Sequence, residues 1–335
     1  MWSVWRPGRP RVVSSGKEVN MMVNARNWKI RLAIGLLILS IVSRAGGSVG
    51  LNEPFPGDIQ DLMTELESKI VESGAEVSVA FAGLDTRERF SINPEEMHAA
   101  SLMKVPVMIE VFNQASLGRF SLADKILVIN EFKSIVDGSP YSLAVIEDSD
   151  DDIYRFIGKE MSIRELVHRM ITVSSNLATN VLIQYVGAKN IMRTLTERGI
   201  HGMRVLRGVE DIKAYEKGLN NRTDAASMLM TLELIAEGKA GTKEACQEMI
   251  EILSQQKHRS KIPAGIPADV KVANKTGSIT QIDHDAAIVF PEGRRPYVLV
   301  VMTRGIEKRE DAERLIAELS RIVYDHVIEK QEMKS

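Results

Sequence analysis

Residues 271–304 read KVANKTGSITQIDHDAAIVFPEGRRPYVLVVMTR. Lys271–Ser278, His284–Phe290 and Tyr297–Thr303 stand out in it as three strand-length apolar runs, separated by turn-forming residues. Near the other end of the chain, Glu76–Leu84 alternates like a strand, and Asp85-Thr86-Arg87-Glu88 turns it into a second one at Arg89–Ile92. The intervening sequence has helical spacing instead, at Ser101–Ser116, Ser162–Ile171, Asn176–Val186, Asn190–Arg198 and Thr223–Glu237. Amphipathic helices are predicted over Asp58–Val71 and Glu310–Glu329. Strands at both ends with helices between them predict an α/β fold. Its antiparallel five-stranded sheet is flanked by helices and carries an inserted all-α lobe.

Three short elements with chemical character stand in order along this plan. They are Ser101-Leu102-Met103-Lys104, Ser174-Ser175-Asn176 and Lys275-Thr276-Gly277. A serine hydroxyl is a weak nucleophile until a base lies within hydrogen-bond reach. Residues three apart on a helix share a face, so Lys104 sits one turn from Ser101. Lysine serves as a base only when burial or a second cation lowers its pKa, and Lys275 could supply that charge. Ser101 at a helix start also places backbone N–H groups where an oxyanion would form. Ser-x-x-Lys alone carries no weight, since it recurs at Ser14–Lys17 and Ser254–Lys257 without an apolar helix behind it. Lys-Thr-Gly occurs once. All three elements in order, at a helix start, a helix-flanking loop and a strand, make a specific signal.

The set resembles the signature of the class A β-lactamase-like family, within the superfamily of serine β-lactamases and penicillin-binding proteins. The resemblance spans roughly residues 57–330. Its second element departs from the family pattern, with Ser175 where aspartate is usual. It implies a β-lactamase-like fold and a serine hydrolase that opens β-lactam rings through a Ser101 acyl-enzyme. It also implies residue roles. Ser174 would relay a proton to the leaving nitrogen, and Asn176 would hold Lys104 and the substrate amide. Lys275 and Thr276 would dock the substrate carboxylate, Gly277 would complete the strand element, and the Ser278 N–H would be the second oxyanion donor.

Class A hydrolases deacylate with a glutamate-held water. Glu210, 36 residues beyond Ser174, is the candidate; Glu216, with Asn220 four residues on, is a second. Position 214 is alanine where the resemblance calls for asparagine, and no proline follows Glu210. A loop carboxylate paired with Arg204 or Arg207 is an equal reading of Glu210. Two alternatives to hydrolysis stay open: a D-Ala-D-Ala carboxypeptidase of cell-wall metabolism, and a non-hydrolytic penicillin sensor. The substrate is accordingly a small-molecule β-lactam or a peptidoglycan peptide.

Other features read blandly. Gly46-Gly47-Ser48-Val49-Gly50 matches a nucleophile-elbow pattern but has no strand before it or helix after it. The acidic run Glu147–Asp152 reads as a solvated loop, Tyr141 as a packed loop residue, and Asp283-His284-Asp285 as a hairpin turn. The six histidines are scattered without a zinc pattern, so no metal or cofactor is expected. Cys246 stands alone and cannot close an intrachain disulfide.

Of 335 residues, 44% are apolar and 26% charged, a globular mixture. Residues 1–45 hold eight Lys/Arg against Glu18, so the rest must carry a net of nine negative charges to reach the stated −2. A chain that acidic is a poor nucleic-acid binder. The basic stretch precedes one apolar run, Leu32–Val42, short for a bilayer span. Ser43-Arg44-Ala45 then offers small residues at the positions a signal peptidase reads. Residues 1–45 are therefore expected to be a signal peptide or N-terminal membrane anchor, 46–57 a linker and 58–330 the catalytic domain. The expected product is a monomer, secreted or periplasmic, touching a membrane only through residues 32–42 if uncleaved.

Overall fold

Alternation in the strands decides the architecture. In β1 (Glu76–Gly83), Val77, Val79 and Phe81 face one side and Ala80 and Ala82 the other. In β5 (Tyr297–Arg304), Tyr297, Leu299 and Val301 alternate with Val298, Val300 and Met302 in the same way. Both sets are buried, so the sheet is covered on both faces. A computed structural model describes residues 57–84, 88–293 and 295–332. The expected leader, the linker up to residue 56 and the turn at Asp85–Arg87 lie outside the described residues.

β1, β2 (Arg89–Ile92), β3 (Lys271–Ile279), β4 (Ile282–Phe290) and β5 form one sheet in the order β2-β1-β5-β4-β3. Every pairing is antiparallel. One face packs on α1 (Gly57–Ser73) and on the closing helix α9 (Arg309–Glu332) through Ile59, Leu62, Leu66, Ile316 and Leu319. The helical segments inserted between β2 and β3 cover the other face. They include α2 (Lys104–Ser116), α3 (Ile163–Thr172), α4 (Asn176–Val186), α5 (Ala188–Glu197), α6 (Ile212–Glu216), α7 (Ala225–Ala236) and α8 (Lys243–Ser254). Small residues on that face, Ala80, Ala82, Ala273 and Ala286, leave room for the lobe. The predicted five strands and inserted lobe are present. β3 is an edge strand, and its free edge faces the start of α2.

One turn reading is corrected. Asp283-His284-Asp285 is not the hairpin turn. It lies inside β4, fully buried, and the reversal falls one step earlier at Gln281, whose φ is +56°. The polarity of the triplet suggested a loop, but each side chain is satisfied by buried partners instead. His284 Nε2 lies 2.9 Å from the His98 carbonyl, and Nδ1 lies 2.8 Å from the Asp283 carbonyl and 3.2 Å from Thr303 N. Burial holds the His284 pKa down at about 4. The neutral ring thus ties the sheet to the segment just before Ser101.

Candidate active site

Ser101 lies in a 3-10 turn, Ala100–Met103, that runs straight into α2. Ala100 just before it takes φ +44°, and its N–H is held by His98 Nδ1 at 3.0 Å. A non-glycine residue in that region is strained and persists only when its surroundings hold it. The first N–H groups of such a turn have no partner inside it, which leaves the Ser101 amide available. Ser101 is half-buried at the floor of a cleft of about 280 Å³, whose walls include Ser174, Asn176, Thr276 and Ser278.

Lys104 is fully buried and donates three hydrogen bonds. Its acceptors are the Ser174 carbonyl at 2.6 Å, Ser174 Oγ at 3.1 Å and Asn176 Oδ1 at 2.8 Å. Burial brings its pKa down to about 7, against a smaller upward pull from Asp148. Lys275, fully buried across the cleft, donates to the same Ser174 Oγ at 3.0 Å and to the Thr276 carbonyl at 2.8 Å. Burial and the neighbouring Lys104 charge hold Lys275 well below the usual lysine range. Two lysines therefore converge on one hydroxyl. Ser174 Oγ accepts from both, so its own proton is free to point into the cleft. Ser174 sits at φ +63°, and the helix cap is Ser175, whose Oγ accepts from Ala178 N–H. Among the described residues, no hydrogen bond joins Ser101 Oγ to Lys104.

Gly277 explains how β3 comes so close. A Cβ there would lie 3.1 Å from Ser101 N, 3.2 Å from Ala100 Cβ and 3.3 Å from the Ala99 carbonyl oxygen. Gly277→Ala should push strand and turn apart by a few tenths of an ångström. Reaction at Ser101 is then expected to slow about tenfold, with the thermal midpoint little changed. Stopped-flow reaction kinetics beside a melting curve check this; unaltered rates would mean the contact is unimportant.

Three residues of the site carried no usable sequence signal. Asp148 belongs to the acidic run expected to be solvated, and that expectation is corrected. Its carboxylate accepts from Asn176 N–H and Leu177 N–H, both at 2.8 Å, at the N-terminus of α4. An acidic group there is favoured by the helix dipole, and it fixes the turn holding Ser174 and Asn176. Asp150 in the same run is buried against Arg169. His258 lines the cleft beside Ser174 and Asn176. Burial, followed by Lys275, lowers its pKa. Lys261 is buried beside Asp283 at 2.9 Å. Among the described residues no group of His, Cys, Asp and Glu is arranged to hold a metal ion.

Glu210 sits in the loop just before α6. It takes φ +62° next to Val209, whose backbone is gripped at both ends by the Asn180 amide. Its carboxylate is close enough to act electrostatically on Arg207, Tyr141 and Tyr154. Among the described residues it makes no hydrogen bond to Ser101, Lys104 or Ser174. Glu216 ends the short helix α6, which Asp211 caps by accepting from Ala214 N–H. Tyr141 packs on Phe132, with ring centroids 5.8 Å apart.

Residues 59–327 match the model of the beta-lactamase enzyme family. Beta-lactamase AST-1 of Nocardia asteroides is 31% identical over 170 residues, 49% of this chain and 55% of that one. Beta-lactamase CTX-M-8 of Citrobacter amalonaticus is 25% identical over 276 residues, 80% of this chain and 89% of that one. Several relatives, AST-1 among them, are thus matched over little more than half their own length. In structure, a variant of the reconstructed last common ancestor of Gram-negative class A β-lactamases superposes with a TM-score of 0.70 and 25% identity. It covers 81% of this chain and 99% of that one. PBP-A superposes with a TM-score of 0.69 at 21% identity, covering 81% and 96%, a likeness of fold.

Proposed function

The chain belongs to the beta-lactamase enzyme family, and from that premise we propose that it is a serine hydrolase opening β-lactam rings through a Ser101 acyl-enzyme. The observation that carries this reading is the convergence of Lys104 and Lys275 on Ser174 Oγ beside Ser101. Neutral Lys104 takes up the Ser101 proton, relayed through Ser174 Oγ, as Ser101 Oγ attacks the lactam carbonyl. The negative charge on that oxygen is met by the Ser101 and Ser278 N–H groups. The C–N bond then breaks, and the proton travels from Lys104 through Ser174 Oγ to the departing nitrogen. A water finally adds its oxygen to the ester carbonyl, the bond from that carbon to Ser101 Oγ breaks, and a proton from the water passes to Ser101 Oγ. Asn176 steadies Lys104, and Lys275 and Thr276 receive the substrate carboxylate.

Hydrolysis is the favoured outcome, by analogy with the relatives' names. A second reading, a D-Ala-D-Ala carboxypeptidase, is supported by the lack of a direct hydrogen bond from Glu210 to Lys104 or Ser174 among the described residues. Excess chromogenic cephalosporin distinguishes the two. Sustained colour means hydrolysis, whereas one burst equal to the enzyme concentration means a stalled acyl-enzyme. Under hydrolysis, Glu210→Gln should slow deacylation about a hundredfold while sparing acylation. Equal loss in both steps, or none, removes Glu210 from the mechanism. The basic, then apolar, N-terminal sequence supports export, and the enzyme would act there as a monomer.

A further inference from the structure

Lys261 holds a position that the reaction scheme above leaves unused. Its Nζ is within hydrogen-bond distance of Ser278 Oγ at 2.8 Å, Asp283 Oδ1 at 2.9 Å, the His284 carbonyl at 3.2 Å and the Gly277 carbonyl at 3.3 Å. Four oxygens share three N–H bonds, so none is left over for a substrate anion. Ser278 Oγ is equally occupied, since it accepts from Lys261 and donates to Asp283 Oδ1 at 2.7 Å. Although both residues border the cleft, neither side chain is free to dock a ligand.

The Gly277 carbonyl belongs to the same peptide unit as the Ser278 N–H. A trans peptide is planar, with its C=O and N–H pointing in opposite directions. Lys261 also contacts β4, through Asp283 and the His284 carbonyl, so the oxygen end of this peptide faces β4. The N–H end therefore faces the free edge of β3, the side on which Ser101 N lies close to Gly277. A cation on the oxygen draws electron density toward it and makes the opposite N–H a stronger donor.

We infer that Lys261 is a positioning residue which polarises the Gly277–Ser278 peptide and so strengthens the oxyanion hole from behind. Asp283 is its counter-ion and tempers the effect, with Arg309 a further 3.7 Å neighbour of that carboxylate. The inference rests on the reading of Ser101 as the acylated nucleophile.

The test uses benzylpenicillin carrying ¹³C at the lactam carbonyl. Infrared difference spectra of the acyl-enzyme report the ester carbonyl stretch, which falls as its hydrogen bonds strengthen. Removing both charges, in the double variant Lys261→Met with Asp283→Asn, should raise that stretch and slow acylation about tenfold, a fraction of losing a whole donor. Substrate affinity should be unchanged. Asp283→Asn alone keeps the ammonium and frees it of its counter-ion, so the stretch should fall below wild type. This single variant decides the matter if the double one does not fold. A folded double variant with the wild-type stretch, or a single variant whose stretch is unchanged or higher, overturns the role of Lys261. Absence of any acyl-enzyme in the wild type is a different failure: it removes the nucleophile assignment, and this inference goes with it.

Discussion

Ser101→Ala is expected to abolish covalent labelling by a fluorescent penicillin and to leave the fold intact. The effect should be about six orders of magnitude in acylation, and hence below detection. The Ser101 hydroxyl makes no hydrogen bond among the described residues, so its removal orphans no partner. A half-buried serine of this kind changes stability by about 0.5 kcal/mol or less. The backbone N–H stays, so the oxyanion site and the lysine pair persist and reversible binding of penicillin should survive. Intact-protein mass spectrometry with and without penicillin checks the loss, and a melting curve checks the fold. An adduct on the variant would move the nucleophile elsewhere in the cleft, which Ser149, Ser174, Ser260 and Ser278 also line.

The parts of this site that were legible in the sequence are those written into local periodicity. Lys104 follows Ser101 by one turn at the head of an apolar helix, and Lys275 falls in an apolar strand, so burial of both could be anticipated. The five strands and most of the helices followed for the same reason, but the helix Lys243–Ser254 was not among those expected. What stayed hidden depends on contacts between distant segments. Asp148 lies 28 residues before the helix it caps, and nothing in its acidic run separates it from a solvated neighbour. The Asp283-His284-Asp285 triplet looks like a turn because its partners, Lys261, His98 and Thr303, come from three other elements. Spacing alone could put Glu210 at a plausible distance along the chain. It could not show that Asn180 would grip the loop at Val209.

Lys104, buried beside Ser174, is the base of the proposed acylation, which leads to the second large effect. Its three acceptors differ in kind. The Ser174 carbonyl and Asn176 Oδ1 can only accept, whereas Ser174 Oγ can also donate. Once Lys104 is neutral, its two N–H bonds stay on the first pair, and its lone pair faces a hydroxyl able to turn and donate. With a pKa of about 7 the amine is poised at neutral pH. Acylation should rise with pH through 7 and fall by about a factor of one hundred by pH 5, a tenfold step per unit. Lys104→Met should cut acylation about 10⁴-fold and erase that step. Lys104→Arg should do equal damage, since a guanidinium never gives up its proton. Activity retained by arginine would show that charge, not basicity, is what the position supplies.

Stability gives an independent reading of the same group. Between pH 7 and about 10, near the ordinary lysine value, the unfolded chain holds a proton on Lys104 that the native state does not. Wild-type stability should therefore increase with pH across that window. Lys104→Met should lose one proton's share of the slope, while Lys275, shifted in the same direction, keeps its own. Denaturant midpoints measured at several pH values test this without any substrate. A slope unchanged by the substitution would mean that Lys104 is charged in the folded protein, and the base would have to be found elsewhere.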